Sequence, residues 1–265
     1  GHVRVFASGR HVFQPGLHVK QALHRAVNEI GLVQSVPQTF KYISSILNSR
    51  VYDICSESPL LLAPKLSSQI GCRVLIKRED VNPTFSFKVR GVYNVLAHLI
   101  ESEREAGVVA YGTGNHALAV AHCSQFLGIC CTIYVPLGTS PRKIEALHTY
   151  QGCSVQMAGA TLAEARSAAE EAANLQRRTL VRRDHPLAIA GNGTIASEIM
   201  KQTTAEDVDT VFVCTGSGSL LAGVGTYIKA VRPDITIVGV EPEESAAMTA
   251  ALAAGHVRIE ERSVL

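Results

Sequence analysis

The stretch TVFVCTGSGSLLAG, residues 210–223, decides the fold class of this chain. It begins with a continuous apolar run, passes through a turn of glycine and serine, and continues with apolar residues at helical spacing. A buried strand followed by a short turn and a helix is the unit from which parallel sheets are built. We therefore predict a strand over 210–214 and a helix that begins at Ser219.

The same unit recurs along the chain from about residue 73. Strand-like runs cover residues 73–77, 107–111, 131–135, 154–157 and 235–240. Helical periodicity follows each run, with apolar positions from Val89 to Leu99 and then segments that begin near Asn115, at Pro141, at 161 and near Ser245. This repetition predicts an α/β protein with parallel strands joined by right-handed helical crossovers. Ligands of such sheets bind beyond the carboxyl ends of the strands, so we expect the chemistry in the strand-to-helix turns.

Composition excludes several classes of protein. Hydrophobic residues make up 46% of the chain and charged residues 18%, and no apolar run reaches the roughly 20 residues that a membrane span needs. The net charge is +2 with both signs interspersed, which argues against nucleic acid as a partner. The 7 cysteines contain no C-x-x-C, so we expect reduced thiols and a cytoplasmic location. The segment before Glu29 has no acidic residue, however, and resembles a mitochondrial or plastid presequence.

Two of the turns suit anions. In the turn of residues 216–219, Gly216 and Gly218 leave the backbone accessible, while Ser217 and Ser219 add hydroxyl groups at a helix N-terminus. This pattern is typical of a phosphate site, although a tight turn that needs positive φ has the same composition.

The turn of residues 112–116 also precedes a helix and suits a carboxylate or an oxyanion. Its residues are Gly112, Thr113, Gly114, Asn115 and His116. An asparagine before a helix is also an ordinary cap, so this turn is a weaker signal on its own.

A lysine precedes both turns in the chain. Lys88 lies between Phe87 and Val89 at the predicted start of a helix. Most lysines at such positions point into solvent, but apolar neighbours disfavour the ammonium form and lower the pKa of the amine. A reactive amine together with two anion-binding turns predicts a phosphorylated aldehyde cofactor, pyridoxal phosphate, held on a lysine.

The stretch KRED-x-x-P-x-x-SFK-x-RG, residues 77–91, resembles the cofactor-lysine motif of the fold-type II pyridoxal-phosphate enzymes, whose fold is that of the tryptophan synthase β chain. RVYDICSESPL, GTGNHALAVA, AGNGTIASEI and GVEPEESAAMTAALAAGH occur in the family's order. The resemblance runs from about Tyr42 to the C-terminus. It is strongest to the biosynthetic threonine dehydratases within that family.

The resemblance implies a role for each candidate residue. Lys88 would hold the cofactor as a Schiff base and remove the α-proton of the substrate. Asn115 would hydrogen-bond the 3′-oxygen of the cofactor, and Phe87 would lie beside its ring. Residues 112–116 would bind the substrate carboxylate, and residues 216–219 would bind the phosphate.

The implied reaction is the deamination of L-threonine to 2-oxobutyrate and ammonia, as in isoleucine biosynthesis. L-serine would react more slowly to pyruvate. A serine racemase or serine dehydratase is the alternative within the family. A nicotinamide dehydrogenase is a further alternative, because GNGTIA (191–196) fits the pattern G-x-G-x-x-A.

The resemblance also implies a division into domains and a homo-oligomer. Residues 107–182 would form a small domain, residues 37–106 and 183–265 a large one, and residues 1–36 an N-terminal extension. The chain ends 46 residues after Ser219, whereas the family continues further. We therefore expect an incomplete large domain that binds the cofactor weakly, and an inactive cofactor-binding fragment or interaction protein is the corresponding alternative.

The sequence departs from the family at three places. Gly112 stands where the family usually has serine, and Ser217 and Ser219 stand where the phosphate turn usually has glycine. Glu241 matches the first ligand of a cation site found in related racemases, but Ala247 occupies the position of the second. We therefore predict no metal.

Overall fold

The structure is a computed structural model and describes residues 3–8, 36–204 and 207–254. In chain order its strands are β1 Val3–Ser8, β2 Leu60–Leu62, β3 Leu75–Lys77, β4 Val108–Tyr111, β5 Cys131–Val135, β6 Cys153–Met157, β7 Thr179–Leu180, β8 Thr210–Cys214 and β9 Thr236–Pro242. Its helices are α1 Val36–Leu47, α2 Pro64–Ile70, α3 Lys88–Leu96, α4 Glu101–Ala106, α5 Asn115–Leu127, α6 Pro141–His148, α7 Leu162–Leu175, α8 Pro186–Gln202, α9 Ser219–Val231 and α10 Ala247–Ala254.

The chain folds into two compact units. One unit is Ser49–Gly191, and the other combines the described residues before and after it. The predicted boundaries at residues 107 and 182 stay a prediction. The presequence-like segment lies mostly outside the described residues.

The unit Ser49–Gly191 is built on a sheet of order β6-β5-β4-β7, in which all neighbours are parallel. Its central strands are buried on both faces, which is why they read as continuous apolar runs. On one face, Val108, Ala110 and Ile133 share a core with residues of α3 and α5. On the other face, Val109 packs with Ala169 and other residues of α7. The 112–116 turn follows the carboxyl end of β4, so it lies at the end of the sheet where the parallel strands finish.

The other unit contains a sheet of order β1-β9-β8. Strands β8 and β9 are parallel and are linked through α9, whereas β1 pairs antiparallel with β9. Helix α9 packs against α1 and buries Val224 and Ile228. The 216–219 turn lies between the end of β8 and the start of α9.

The predicted strand-turn-helix units are confirmed at most positions. Helices begin at Asn115, Pro141 and Ser219, and strands cover 131–135 and 210–214, as the sequence indicates. The prediction for 73–77 is wrong in one respect, because β3 pairs antiparallel with β2 rather than in a parallel sheet. The segment between β2 and β3 holds only the short helix α2, and it brings the chain back beside the strand that it has just left.

The fold contradicts the dinucleotide motif at residues 191–196. The stretch GNGTIA lies inside α8, not at a turn between a strand and a helix. Glycines of a dinucleotide site must open a helix that follows a strand. Within the described part of the chain, no helix is both long and apolar enough to cross a membrane.

Candidate functional site

Lys88 is the first residue of α3, and its amine is partly buried. Its Nζ lies 4.4 Å from the centroid of the Phe87 ring. Burial, and then the positive charge of Arg183, lower the pKa of Lys88 from 10.5 to about 8. An amine with this pKa has a substantial neutral fraction near neutrality, so Lys88 is suited to act as a nucleophile or a base.

The backbone immediately before Lys88 is strained. Thr84 and Phe85 both have positive φ, at 62° and 52°, in the short 3₁₀ turn Pro83–Phe85. This conformation is unfavourable for a β-branched residue such as threonine. The Oγ1 of Thr84 is also buried without a hydrogen-bond partner in the described structure. Such strain is typical of segments whose shape serves a site.

A buried ion pair holds α3 in place two residues after the lysine. Arg90 is 0% exposed, and its Nε and Nη2 donate to the two carboxylate oxygens of Glu79 at 2.7 and 2.9 Å. Ser58 donates to the same carboxylate at 2.5 Å. A two-pronged contact of this kind fixes direction as well as distance, so it orients the start of α3.

The 112–116 turn forms the N-terminus of α5. Gly112 has φ of +135°, and its amide donates to the carbonyl of Tyr134 at 3.0 Å. Gly114 is the N-cap residue and has no side chain to satisfy the first amides of the helix, while Asn115 is exposed. Free amides at a helix N-terminus attract anions, which agrees with the role expected for this turn.

The His116 side chain is buried below this turn. Its Nε2 lies 3.0 Å from the carbonyl oxygen of Val181. Burial, and then the charges of Arg183 and Lys88, lower its pKa to about 3, although the carbonyl partly opposes the shift. The imidazole is therefore neutral at pH 7 and donates to Val181. Any contact of His116 with a ligand carboxylate would come from its backbone.

Arg183 was not among the candidates chosen from the sequence. Its guanidinium carbon lies 5.3 Å from the centroid of the Tyr111 ring, and its Nε is buried without a hydrogen-bond partner in the described structure. In the sequence it belongs to the stretch VRRDHP, which reads as a solvated charge cluster. Only the fold places it near Lys88 and the 112–116 turn.

The 216–219 turn combines open backbone with two hydroxyl groups. Gly218 is left-handed, with φ of +81°, and precedes α9 as a cap that has no side chain; a Cβ on Gly216 would meet nothing within 4 Å. The Oγ atoms of Ser217 and Ser219 are 3.3 Å apart. The buried Asn192 donates from Nδ2 to the Ser219 Oγ at 3.3 Å. The turn therefore offers backbone amides and oriented hydroxyls to an anion.

Glu241 has a structural role in the same unit. Its carboxylate accepts hydrogen bonds from the amides of Met248 and Thr249, at 3.1 and 2.8 Å, and from the Thr249 hydroxyl at 2.5 Å. It therefore caps the first turn of α10. A cation at Glu241 would have to compete with these three donors.

The candidate residues divide between the two units. Phe87, Lys88 and the 112–116 turn belong to Ser49–Gly191, and the shifts in pKa show that Lys88, His116 and Arg183 lie within electrostatic reach of one another. The 216–219 turn belongs to the other unit.

Comparisons with known proteins match most of the chain. The family described as "Pyridoxal-phosphate dependent enzyme" matches residues 51–263. The biosynthetic, chloroplastic threonine dehydratase 1 of Solanum lycopersicum is 41% identical over 214 residues, which cover 80% of this chain. The solved structure of the processed form of threonine deaminase isoform 2 from the same organism has a TM-score of 0.80 and 40% identity, and the match covers 84% of this chain. Maize serine racemase is less similar, with a TM-score of 0.75, 26% identity and 82% of this chain covered.

This chain is shorter than the proteins that it matches. It spans 35% of the length of the curated tomato dehydratase, 61% of the solved tomato deaminase chain and 66% of the solved racemase chain. The matched part contains Lys88 and both turns.

Proposed function

This chain belongs to the family of pyridoxal-phosphate dependent enzymes, and from that premise we propose that it deaminates L-threonine to 2-oxobutyrate and ammonia. The observation that carries the proposal is the partly buried amine of Lys88, whose pKa is lowered to about 8. A solvent-facing lysine would not show this shift, whereas a lysine that reacts with a carbonyl group requires a neutral amine.

Each unit by itself supplies residues that fit a part of pyridoxal phosphate. The left-handed Gly218 and the open position at Gly216 leave the backbone accessible to a phosphate. The N-terminus of α9 and the hydroxyls of Ser217 and Ser219 supply donors to the same anion. Lys88 supplies the amine for the aldehyde group, and Phe87 supplies an aromatic face beside that amine.

Lys88 also serves as the proton acceptor in the proposed reaction. With a pKa of about 8, roughly a tenth of the amine is neutral at pH 7, compared with far below a hundredth for an ordinary lysine. Its Nζ can therefore take the α-proton of an amino acid without a further activating base. The Arg90–Glu79 pair fixes the start of α3 and limits the positions that this amine can reach.

The other residues orient the substrate. We assign its carboxylate to the amides of residues 112–116, with the Thr113 hydroxyl as an additional donor, and we assign Asn115 to the 3′-oxygen of the cofactor. Pyridoxal phosphate, when bound, draws electron density from the α-carbon of an amino acid. Loss of the α-proton and of the β-hydroxyl, followed by hydrolysis of the enamine product, gives the 2-oxo acid and ammonia.

L-threonine is preferred to L-serine in this proposal because the stronger similarity is to threonine dehydratases. One methyl group in an apolar pocket discriminates by only about 1–3 kcal/mol. L-serine should therefore react more slowly and give pyruvate.

The test is turnover of L-threonine by the purified chain with added pyridoxal phosphate. Production of 2-oxobutyrate is followed by its reduction with NADH and a 2-oxo acid dehydrogenase, and ammonia is measured in parallel. Lys88→Ala should abolish both products, whereas Lys65→Ala, which changes an exposed lysine, should leave them unchanged. D-serine formed from L-serine without a 2-oxo acid would favour the racemase alternative. Cofactor binding without turnover of either amino acid would favour the inactive-fragment alternative.

We also propose that the protein forms a homo-oligomer, has neither nucleic acid nor membrane as a partner, and acts in the cytoplasm, with a mitochondrial or plastid location as the alternative. The support is the family resemblance for assembly, and composition for the partners and the compartment. Light scattering of the purified chain tests the assembly. Fluorescence imaging of the tagged natural protein in its own cell tests the location.

A further inference from the structure

We propose that Arg183 binds the carboxylate of the amino-acid substrate at the 112–116 turn. The inference deepens the proposed function and rests on it. The residue supplies a charged, forked donor beside a turn that otherwise offers backbone amides and the Thr113 hydroxyl. Planar guanidinium groups are well matched to carboxylates, which they bind through two parallel hydrogen bonds.

The first observation is the position of the guanidinium relative to Gly112. A Cβ built on Gly112 would lie only 2.9 Å from Nη2 of Arg183. The space that a side chain at position 112 would use is therefore filled by the arginine. The guanidinium therefore lies directly beside the backbone of the 112–116 turn.

The second observation is that, among the residues that the structure describes, no acidic side chain forms an ion pair with Arg183. Its Nε is buried without a hydrogen-bond partner among the described residues. The adjacent acid, Asp184, is bound by Arg182 through Nε and Nη2 at 3.0 and 2.8 Å. A buried donor without an acceptor is costly, and a carboxylate ligand would remove that cost.

The third observation is that the Arg183 guanidinium is held over an aromatic ring and that its charge acts on Lys88. The guanidinium stacks over Tyr111, at 5.3 Å from the ring centroid, which restricts the plane of its donors. Its charge also lowers the pKa of both Lys88 and His116, so it acts on the amine that the proposed reaction uses. A carboxylate bound to Arg183 would lie near the lysine, as an amino-acid substrate requires.

The experiment compares two probes on the cofactor-loaded chain: L-threonine, which has a carboxylate, and L-threoninamide, which has a neutral amide in its place. Affinity is measured from the absorbance change of the bound cofactor on titration, at a pH where both probes carry the same amine charge. In the wild-type chain L-threonine should bind more tightly. Arg183→Gln should lower the affinity for L-threonine by roughly 10- to 100-fold and leave the affinity for L-threoninamide nearly unchanged. Arg182→Gln, which changes the exposed neighbouring arginine, should alter neither affinity.

The outcomes separate this inference from the proposed function. A preference for L-threonine that depends on Arg183, without formation of 2-oxobutyrate, would support Arg183 and contradict the deamination. An unchanged preference in Arg183→Gln would overturn the inference, as would a wild-type chain with no preference or no binding of either probe. If Arg183→Gln lowered the affinity for pyridoxal phosphate but not for pyridoxal, Arg183 would serve the phosphate instead, and this result would also overturn the inference. Arg183→Lys, which keeps the charge but not the fork, provides a second variant in case the glutamine variant does not fold.

Discussion

The Nζ of Lys88 lies 4.4 Å from the centroid of the Phe87 ring, so the amine at the start of α3 rests on an aromatic face. This contact favours the ammonium form by about 0.5–2 kcal/mol. Burial and the charge of Arg183 act in the opposite direction and prevail, because the pKa falls to about 8. The same lysine is therefore held in position by its ring neighbour and kept partly neutral by its surroundings.

Loading of the cofactor should follow the ionisation of Lys88. The rate at which pyridoxal phosphate develops the absorbance of its lysine adduct should rise with pH around a midpoint near 8, because the neutral amine is the nucleophile. The rate is measured from about pH 6 to about pH 10. Lys88→Ala should show no adduct, and Lys65→Ala should behave as the wild-type chain. A borohydride-fixed label on another lysine would refute the assignment.

Lys88 should also make the stability of the chain depend on pH. Its pKa is about 8 in the folded state and 10.5 in the unfolded state, so the unfolded state binds more protons between these values. The free energy of unfolding should therefore rise as pH increases from about 8 to 10.5. Lys88→Met should remove this rise and should be more stable than the wild type at pH 7 by up to about 3 kcal/mol. Urea unfolding at several pH values measures both effects, and parallel curves for the two proteins would contradict them.

His116 should produce a second dependence at acid pH. Its pKa is about 3 in the folded state and 6.5 in the unfolded state. Its contribution to the free energy of unfolding is therefore complete above pH 6.5 and is lost as pH falls towards 3. The loss amounts to at most roughly 5 kcal/mol. His116→Gln keeps a donor for the Val181 carbonyl but has no titrating group. Its free energy of unfolding should fall less steeply than that of the wild type between these pH values, and equal slopes would count against a buried neutral imidazole.

Serine should be tolerated at Gly114 and not at Gly112. Gly112 has positive φ, and a Cβ there would approach Arg183, whereas Gly114 has φ of −132° and open space around it. Gly112→Ser should lower the free energy of unfolding by about 1–2 kcal/mol, and Gly114→Ser should change it little because serine is a good N-cap. Denaturant unfolding provides the comparison. The cost of Gly112→Ser should shrink in an Arg183→Ala background, and an unchanged cost would show that the arginine is not the obstacle.

Alanine substitutions in the 216–219 turn should distinguish the need for a left-handed backbone at Gly218 from the need for open space at Gly216. Gly218 is left-handed, and a Cβ there would lie 2.7 Å from Cε of Met248, whereas a Cβ on Gly216 meets nothing within 4 Å. Gly218→Ala should lower the affinity for pyridoxal phosphate roughly tenfold, because it distorts the turn. The affinity for pyridoxal, which lacks the phosphate, should stay nearly the same. Gly216→Ala should have the smaller effect. Equilibrium dialysis of both compounds gives the affinities, and an equal loss for pyridoxal would mean that the turn does not contact phosphate.

Much of the fold was predictable because its signals are local. The starts of α5 and α9 follow from a change of hydrophobic period at Asn115 and Ser219, and that change needs no knowledge of distant residues. Helix α8 was missed because two glycines interrupt its pattern. A Cβ on Gly191 would lie 2.6 Å from the Arg90 carbonyl, and one on Gly193 would lie 2.6 Å from Ile46. These glycines allow close packing, which tertiary structure requires and sequence periodicity does not reveal.

The candidate site was predictable only in part, for the same reason. Lys88 and the two turns are marked by unusual residue types next to strand or helix ends. Arg183 has no such mark, because an arginine beside another arginine and an aspartate resembles an ordinary exposed ion-pair cluster. Its approach to Gly112 depends on parallel pairing of β7 with β4, a contact between distant parts of the chain.

The buried pair of Glu79 and Arg90 has a consequence for how this protein can change. The two residues are 11 positions apart, and both Nε and Nη2 of Arg90 donate to the one carboxylate of Glu79. Inside α3 each residue is rotated by about 100° from the next, so an insertion or deletion between Lys88 and Arg90 would turn the guanidinium away from Glu79 relative to Lys88 and break the pair. The pair thus fixes the helical register of Lys88 relative to Arg90, which substitutions between these two residues preserve and a change in the number of residues does not.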